Sequence, residues 1–187
     1  MRQGIERALR GVDRSTHVVE QLLTLARLEP EAIIRPLVPI DLVALGQSAV
    51  EQFAAQAVEK DISVGFSGRG QIIIMGDEEG LRLMINNLID NAIRYTAPNG
   101  NVDVHVRLEN GAPSIEVTDN GVGIPEIERG RIFDRFYRVE GIEPFGTGLG
   151  LAIVKTVVDQ HDGEITIEDA AGGVGTCFHI RFPKQAE

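Results

Sequence analysis

Three prolines within ten residues, Pro30, Pro36 and Pro39, constrain this chain more than any other feature. Proline lacks an amide donor and clashes with the preceding helical turn, so no helix runs through residues 29–40, which read as an extended connector entering an edge strand. Ahead of it, residues 1–29 place Ile5, Leu9, Val12, Val19, Leu22, Leu23, Ala26 and Leu28 at mostly three- and four-residue steps among Arg and Glu. That is an amphipathic helix, and a lone helix cannot bury its own stripe. It needs another helix, a second chain or the following domain. Residues 41–187 suffice for one domain and not for two of ordinary size.

Within that body, Asp41 reads as the N-cap of a helix to about Lys60, followed by β-rich runs at Ile62–Phe66 and Ile72–Met75. Asp77 caps a second helix whose apolar positions Leu81, Met84, Ile85, Leu88, Ile89 and Ala92 carry it to about Tyr95. Val102–Leu108 and Ser114–Thr118 alternate apolar and polar residues, as half-buried antiparallel strands do. From Asp119 to Phe145 the periodicity lapses, apart from a turn near Ile132–Tyr137. Structureless loops of that length are uncommon and often functional, which points to a ligand lid. A helix from Thr147 to His161 and strands at Glu164–Glu168 and Thr176–Phe182 complete an α/β layer sandwich on a mixed sheet.

Charge narrows the partners. The formal balance is −10, and residues 41–187 hold 12 basic against 23 acidic side chains. An acidic body repels phosphate backbones, so no nucleic-acid partner is expected, and an anionic ligand must be held by local donors, a cation or helix ends. Cys177, the single cysteine, lies in a strand-like run and reads as a buried reduced thiol. No apolar run of about 18 residues is present to cross a bilayer, and no secretory signal is visible. A soluble chain in a reducing compartment, without direct membrane contact, is the expectation.

Four short stretches carry candidate chemistry. Residues 86–91, Asn-Asn-Leu-Ile-Asp-Asn, put three amides and a carboxylate inside a helix at a cost in propensity; Asn87 and Asn91 share one face, and amide oxygens suit Mg²⁺ bound to phosphates. Asp119-Asn-Gly-Val-Gly123 ends a strand, where a carboxylate could read an exocyclic amine and glycines admit a ligand close to the backbone. Gly146-Thr-Gly-Leu-Gly150 immediately precedes a helix and offers unpaired N–H groups to a phosphate. Gly173-Val-Gly-Thr176 opens the last strand as a tight turn.

With Ile132-Phe-Asp-Arg-Phe-Tyr-Arg138, these stretches resemble the N, G1, F, G2 and G3 boxes of sensor histidine kinases, in that family's order, over about residues 36–183. The stretch Gly11–Leu28 is similar to the second helix of the family's dimerisation and phosphoacceptor hairpin, of the branch that partners OmpR-type regulators. The resemblance implies the Bergerat fold: a two-layer α/β (α+β) sandwich whose mixed, mostly antiparallel sheet carries helices on one face, preceded here by one long amphipathic helix. It implies ATP and Mg²⁺ as cofactors and phosphorylation of a histidine as the activity. Asn91 would coordinate Mg²⁺, with Asn87 supporting the phosphate–metal arrangement. Asp119 would accept the adenine amino group, beside Gly121, Gly123, Ile124 and Thr176. Arg94 and Arg138 would reach the phosphates, with Tyr95 and Phe133 near them. Gly146, Thr147, Gly148, Leu149, Gly150 and Leu151 would hinge the lid and open the helix on the phosphates.

The resemblance further implies three regions: a hairpin helix over 1–29, a linker and edge strand over 30–40, and a catalytic domain over 41–187. It implies as partners the chain's own hairpin, an OmpR-type response regulator, and a second copy through 1–29. It places the domain on the cytoplasmic side of a bacterial inner-membrane protein. Asn87 stands where related ATPases carry a water-activating glutamate, and an amide cannot act as a general base, so transfer to a protein is favoured over hydrolysis. None of His17, His105, His161 and His179 stands in the family's His-Glu-x-x-Arg/Thr-Pro acceptor motif, so the acceptor is expected outside this sequence. The lid from Val139 to Phe145 is short.

Overall fold

The structure, a computed structural model, describes residues 36–139 and 146–184 together with Val19, Leu22 and Leu23. Strand β1 (Val38–Asp41) leads directly into α1 (Leu42–Glu59), because the Asp41 carboxylate accepts the N–H groups of Val43 (3.0 Å) and Ala44 (3.4 Å). After β2 (Ser63–Gly68) and β3 (Ile73–Gly76), Asp77 caps α2 (Glu78–Tyr95) in the same way, through the N–H of Glu79 at 3.2 Å. Both expected caps form, since Asp accepts the orphan amides of a first turn. Then come β4 (Asn101–Glu109), β5 (Ala112–Asp119), a single 3₁₀ turn (Glu126–Glu128), α3 (Gly150–Gln160), β6 (Glu164–Asp169) and β7 (Thr176–Arg181).

The main sheet runs β2-β4-β5-β7-β6, with β2 and β4 parallel and every other pair antiparallel; β1 and β3 form a separate antiparallel ribbon. Three helices lie on one face, with α2 packed against both α1 and α3. The stripe of α2 supplies the centre of the core: Leu81, Met84, Ile85 and Ile89 are fully buried against Val102, Val104, Ile115 and Val117 of β4 and β5. Burying each such side chain stabilises the fold by about 1.5–3 kcal/mol relative to exposure.

Several element boundaries differ from expectation, two of them for reasons visible in the backbone. β4 and β5 run further than the apolar alternation alone indicates, because Asn110 and Gly111 take φ of 53° and 82° and close a two-residue turn that keeps Glu109 paired with Ala112. Helix α3 starts at Gly150 rather than near Thr147, because Gly148 adopts φ 73°, outside helical space. Cys177 is half-exposed, not buried: β7 alternates, sending Phe178 and Ile180 inward and Cys177 and His179 to the open face of the sheet. Partial burial still pushes its thiol pKa up. Of the hairpin helix expected over residues 1–29, Val19, Leu22 and Leu23 are helical and exposed; its other residues, like Glu140–Phe145 of the lid, lie outside the described residues.

Candidate active site

The last two turns of α2, the tip of β5, the start of β7 and the start of α3 converge on one partly open cavity. On α2, Asn87 and Asn91 face it, with Ala92 beside them, while Leu88 and Ile89 pack beneath, as the four-residue spacing predicts. Asn87 donates its amide to the Leu83 carbonyl at 2.8 Å, which fixes the side chain and directs its oxygen at α3: a Cβ on Gly150 would lie 2.8 Å from it. The first turn of α3 therefore abuts the amide face of α2.

At that turn the helix has no side-chain cap, because its N-cap is Leu149. Its first N–H groups are left to the cavity, which Gly150 and Leu151 line, whereas α1 and α2 spend Asp41 and Asp77 on theirs. Thr147 turns its hydroxyl back to accept the Leu149 N–H at 3.3 Å. Gly148 is needed for its backbone as well as its angle: it accepts the Phe136 N–H at 2.8 Å, and a Cβ there would lie 2.6 Å from the Phe136 carbonyl carbon. This pairing presses the Phe133–Arg138 segment against the glycine turn.

The opposite end of the cavity is built on Asp119, only 6% exposed. Its Oδ1 accepts the N–H groups of Gly121 (2.8 Å) and Thr176 (3.3 Å), while Oδ2 has no partner among the described residues. Burial raises the carboxyl pKa, with the two backbone N–H groups opposing the shift. Gly175 makes the geometry possible, since a Cβ there would sit 2.0 Å from the Asp119 carbonyl oxygen. A carboxylate held by two amides with its second oxygen facing a cavity is an acceptor for a ligand N–H.

Of the residues singled out from sequence, Asn87, Asn91, Arg94, Tyr95, Asp119, Gly123, Ile124, Arg138, Gly146, Thr147, Gly148, Gly150, Leu151 and Thr176 all line this cavity. Three do not. Gly121 supports Asp119 from behind, pressed so close to the Tyr95 carbonyl that a Cβ would lie 2.4 Å from it. Leu149 is fully buried in the core, and Phe133 packs against the core from the side. Phe136 is 59% exposed. Ile132, Tyr137 and Phe178 were missed as lining residues, although Ile132 and Tyr137 belong to the aromatic segment and Phe178 is the inward neighbour of Thr176. Asp90 was also missed; its position one turn before Arg94 was the available signal.

The histidines are elsewhere. His161, 9% exposed, accepts the Asp77 N–H through Nε2 at 3.0 Å and lies 2.7 Å from the Val157 carbonyl through Nδ1. His179 sits on the open face of the sheet, 3.0 Å from Glu109, and His105 stands beside Glu116 on the same face; His17 lies outside the described residues.

Comparison with known proteins decides the family. Residues 76–186 match the model for histidine kinase-, DNA gyrase B- and HSP90-like ATPases. The chain belongs to that family. Among its relatives are sensor histidine kinases: the sensor protein kinase PmrB of Pseudomonas aeruginosa is 34% identical over 97% of this chain and 38% of its own length. The sensor protein QseC of Salmonella typhi is 39% identical over 87% of this chain and 36% of its own. The chain thus spans well under half of these relatives. Full-length ShkA, solved in complex with AMPPNP, superposes with a TM-score of 0.79 at 29% identity, covering 99% of this chain and 40% of that one. The two-layer sandwich with a mostly antiparallel sheet is the fold of this family's histidine kinase catalytic domains.

Proposed function

We propose that this chain is the catalytic, ATP-binding part of a sensor histidine kinase, which passes the γ-phosphoryl group of Mg-ATP to a histidine and thence to a response-regulator aspartate. The observation that carries the reading is the convergence of Asp119, the Asn87–Asn91 face, Arg94, Arg138 and the uncapped start of α3 on one cavity. The AMPPNP bound to ShkA, an ATP analogue, supports it from the side of the relatives.

Asp119 Oδ2 accepts the adenine amino group, and Gly123 and Ile124 form the purine wall beside it. The phosphates extend toward α3, whose free N–H groups and positive end stabilise negative charge, with Arg94 and Arg138 adding cations in an otherwise acidic body. Asn91 and Asn87 present neutral, hard oxygens, and no group of three His, Cys, Asp or Glu that could hold a metal exists among the described residues. Such a donor set fits Mg²⁺ shared with phosphate oxygens better than a protein-made cage. Bound there, Mg²⁺ would neutralise charge on the transferring group. Asn87 holds its place without abstracting a proton, which leaves the attack to the incoming imidazole.

The acceptor is a histidine of a dimerisation hairpin, of which residues 1–29 are the second helix, 30–40 the connector and 41–187 the catalytic domain. The regulator is of the OmpR type, and the domain works on the cytoplasmic side of an inner-membrane protein. Calorimetric titration with ATP, with and without Mg²⁺, should show Mg²⁺-dependent binding, and label from γ-labelled ATP should pass to an added hairpin but not accumulate on this chain. Absence of binding, or stoichiometric labelling of this chain alone, contradicts the proposal.

A further inference from the structure

One charged side chain on the cavity wall has no place in the reaction outlined above. Asp90 lies on α2 between Asn87 and Asn91, lines the cavity, and carries the wrong sign for a site that admits a polyanion. Both its oxygens are engaged. Oδ2 accepts from Arg94 Nη2 at 2.6 Å, and Oδ1 accepts from Gln56 Nε2, reaching across from α1, at 3.2 Å. The side chains of Arg94 and Asp90 are 25% and 30% exposed, so the pair is partly sheltered and not a freely solvated surface contact. Arg94 is at the same time turned toward the glycine segment, its Nη1 3.5 Å from where a Cβ on Gly146 would stand.

If the pair served helix stability alone, it would contribute little, because exposed i,i+4 ion pairs are individually weak. An unpaired Asp90 would meanwhile repel the ligand. What Asp90 supplies is orientation. A free arginine samples many rotamers and must lose that freedom when it meets a phosphate, whereas one held at a second point has lost it already. Gln56 extends the chain of support into a different helix, so Arg94 is braced against the packed α1–α2 layer as well as its own turn.

We infer that Asp90, steadied by Gln56, is a positioning residue that aims Arg94 at the phosphate end of the cavity beside Gly146. This rests on the nucleotide-binding reading. The test is a double-mutant cycle on Mg-ATP affinity by calorimetry, with thermal midpoints measured without nucleotide. Asp90→Ala and Arg94→Ala should each weaken Mg-ATP by about five- to tenfold, and the double variant should bind no more weakly than Arg94→Ala alone. Midpoints should stay within about 2 °C, as expected for an isolated i,i+4 pair. Asp90→Asn, which keeps the shape and one acceptor, should show a smaller loss in the same direction. Additive losses, unchanged affinity or tighter binding by Asp90→Ala overturn the inference while leaving the function standing. A wild-type chain that binds no ATP removes both.

Discussion

Burial at Asp119 opposes the charge that the cavity needs there. Its folded-state pKa lies above the ordinary value of 3.8, because desolvation outweighs the N–H groups of Gly121 and Thr176. A raised carboxyl pKa means the folded chain binds more protons than the unfolded one, so this group's contribution to stability falls as pH rises from about 3.8 through the raised value. Above the raised value the penalty is complete. Asp119→Asn removes it while leaving an oxygen for both backbone donors, so thermal melting at pH 7 should be unchanged or higher. The same variant should lose roughly tenfold or more in ATP affinity, ~1.4 kcal/mol, since its amide presents a donor to a donor. In the wild type, affinity for ATP should fall as pH is lowered from neutral toward the raised carboxyl value, because protonation converts the acceptor into a donor; calorimetry at stepped pH reads this directly.

Elements were legible where local chemistry decides them. Asp41 and Asp77 announce α1 and α2, and the spacing from Leu81 to Ala92 fixes which side of α2 is buried, hence which side presents Asn87 and Asn91. The start of α3 was misjudged by three residues because its limit is a backbone angle at Gly148, and that angle is imposed by a distant contact with Phe136. His161 was hidden for the same reason. As a helix-ending residue it looked ordinary, yet it ties the end of α3 to the beginning of α2 across 84 positions of sequence. His161→Ala leaves the Asp77 N–H without its acceptor, at a cost of about 1–3 kcal/mol. Differential scanning calorimetry should register a drop of roughly 2–4 °C per kcal/mol in a chain of this size.

For the molecule as a whole, residues 36–139 and 146–184 contain one continuous core, which among them begins at Ile40. If 41–187 is the catalytic domain proposed above, deleting residues 1–35 should leave melting temperature and ATP affinity close to those of the full chain, while sedimentation should show self-association only when the segment bearing the exposed Val19, Leu22 and Leu23 is present. A shortened chain that fails to fold would show that the N-terminal segment completes the domain. Asp90's tie to Gln56 could not be read from either helix alone, since it depends on how α1 and α2 are laid side by side. The bond between His161 and Asp77 has a mechanical side. It pins α2 and α3 together at the end away from the cavity, beyond the core packing that already joins them, while the cavity lies between their other ends. Removing that pin should therefore register at the cavity too, as a change in ATP affinity far from the substituted residue.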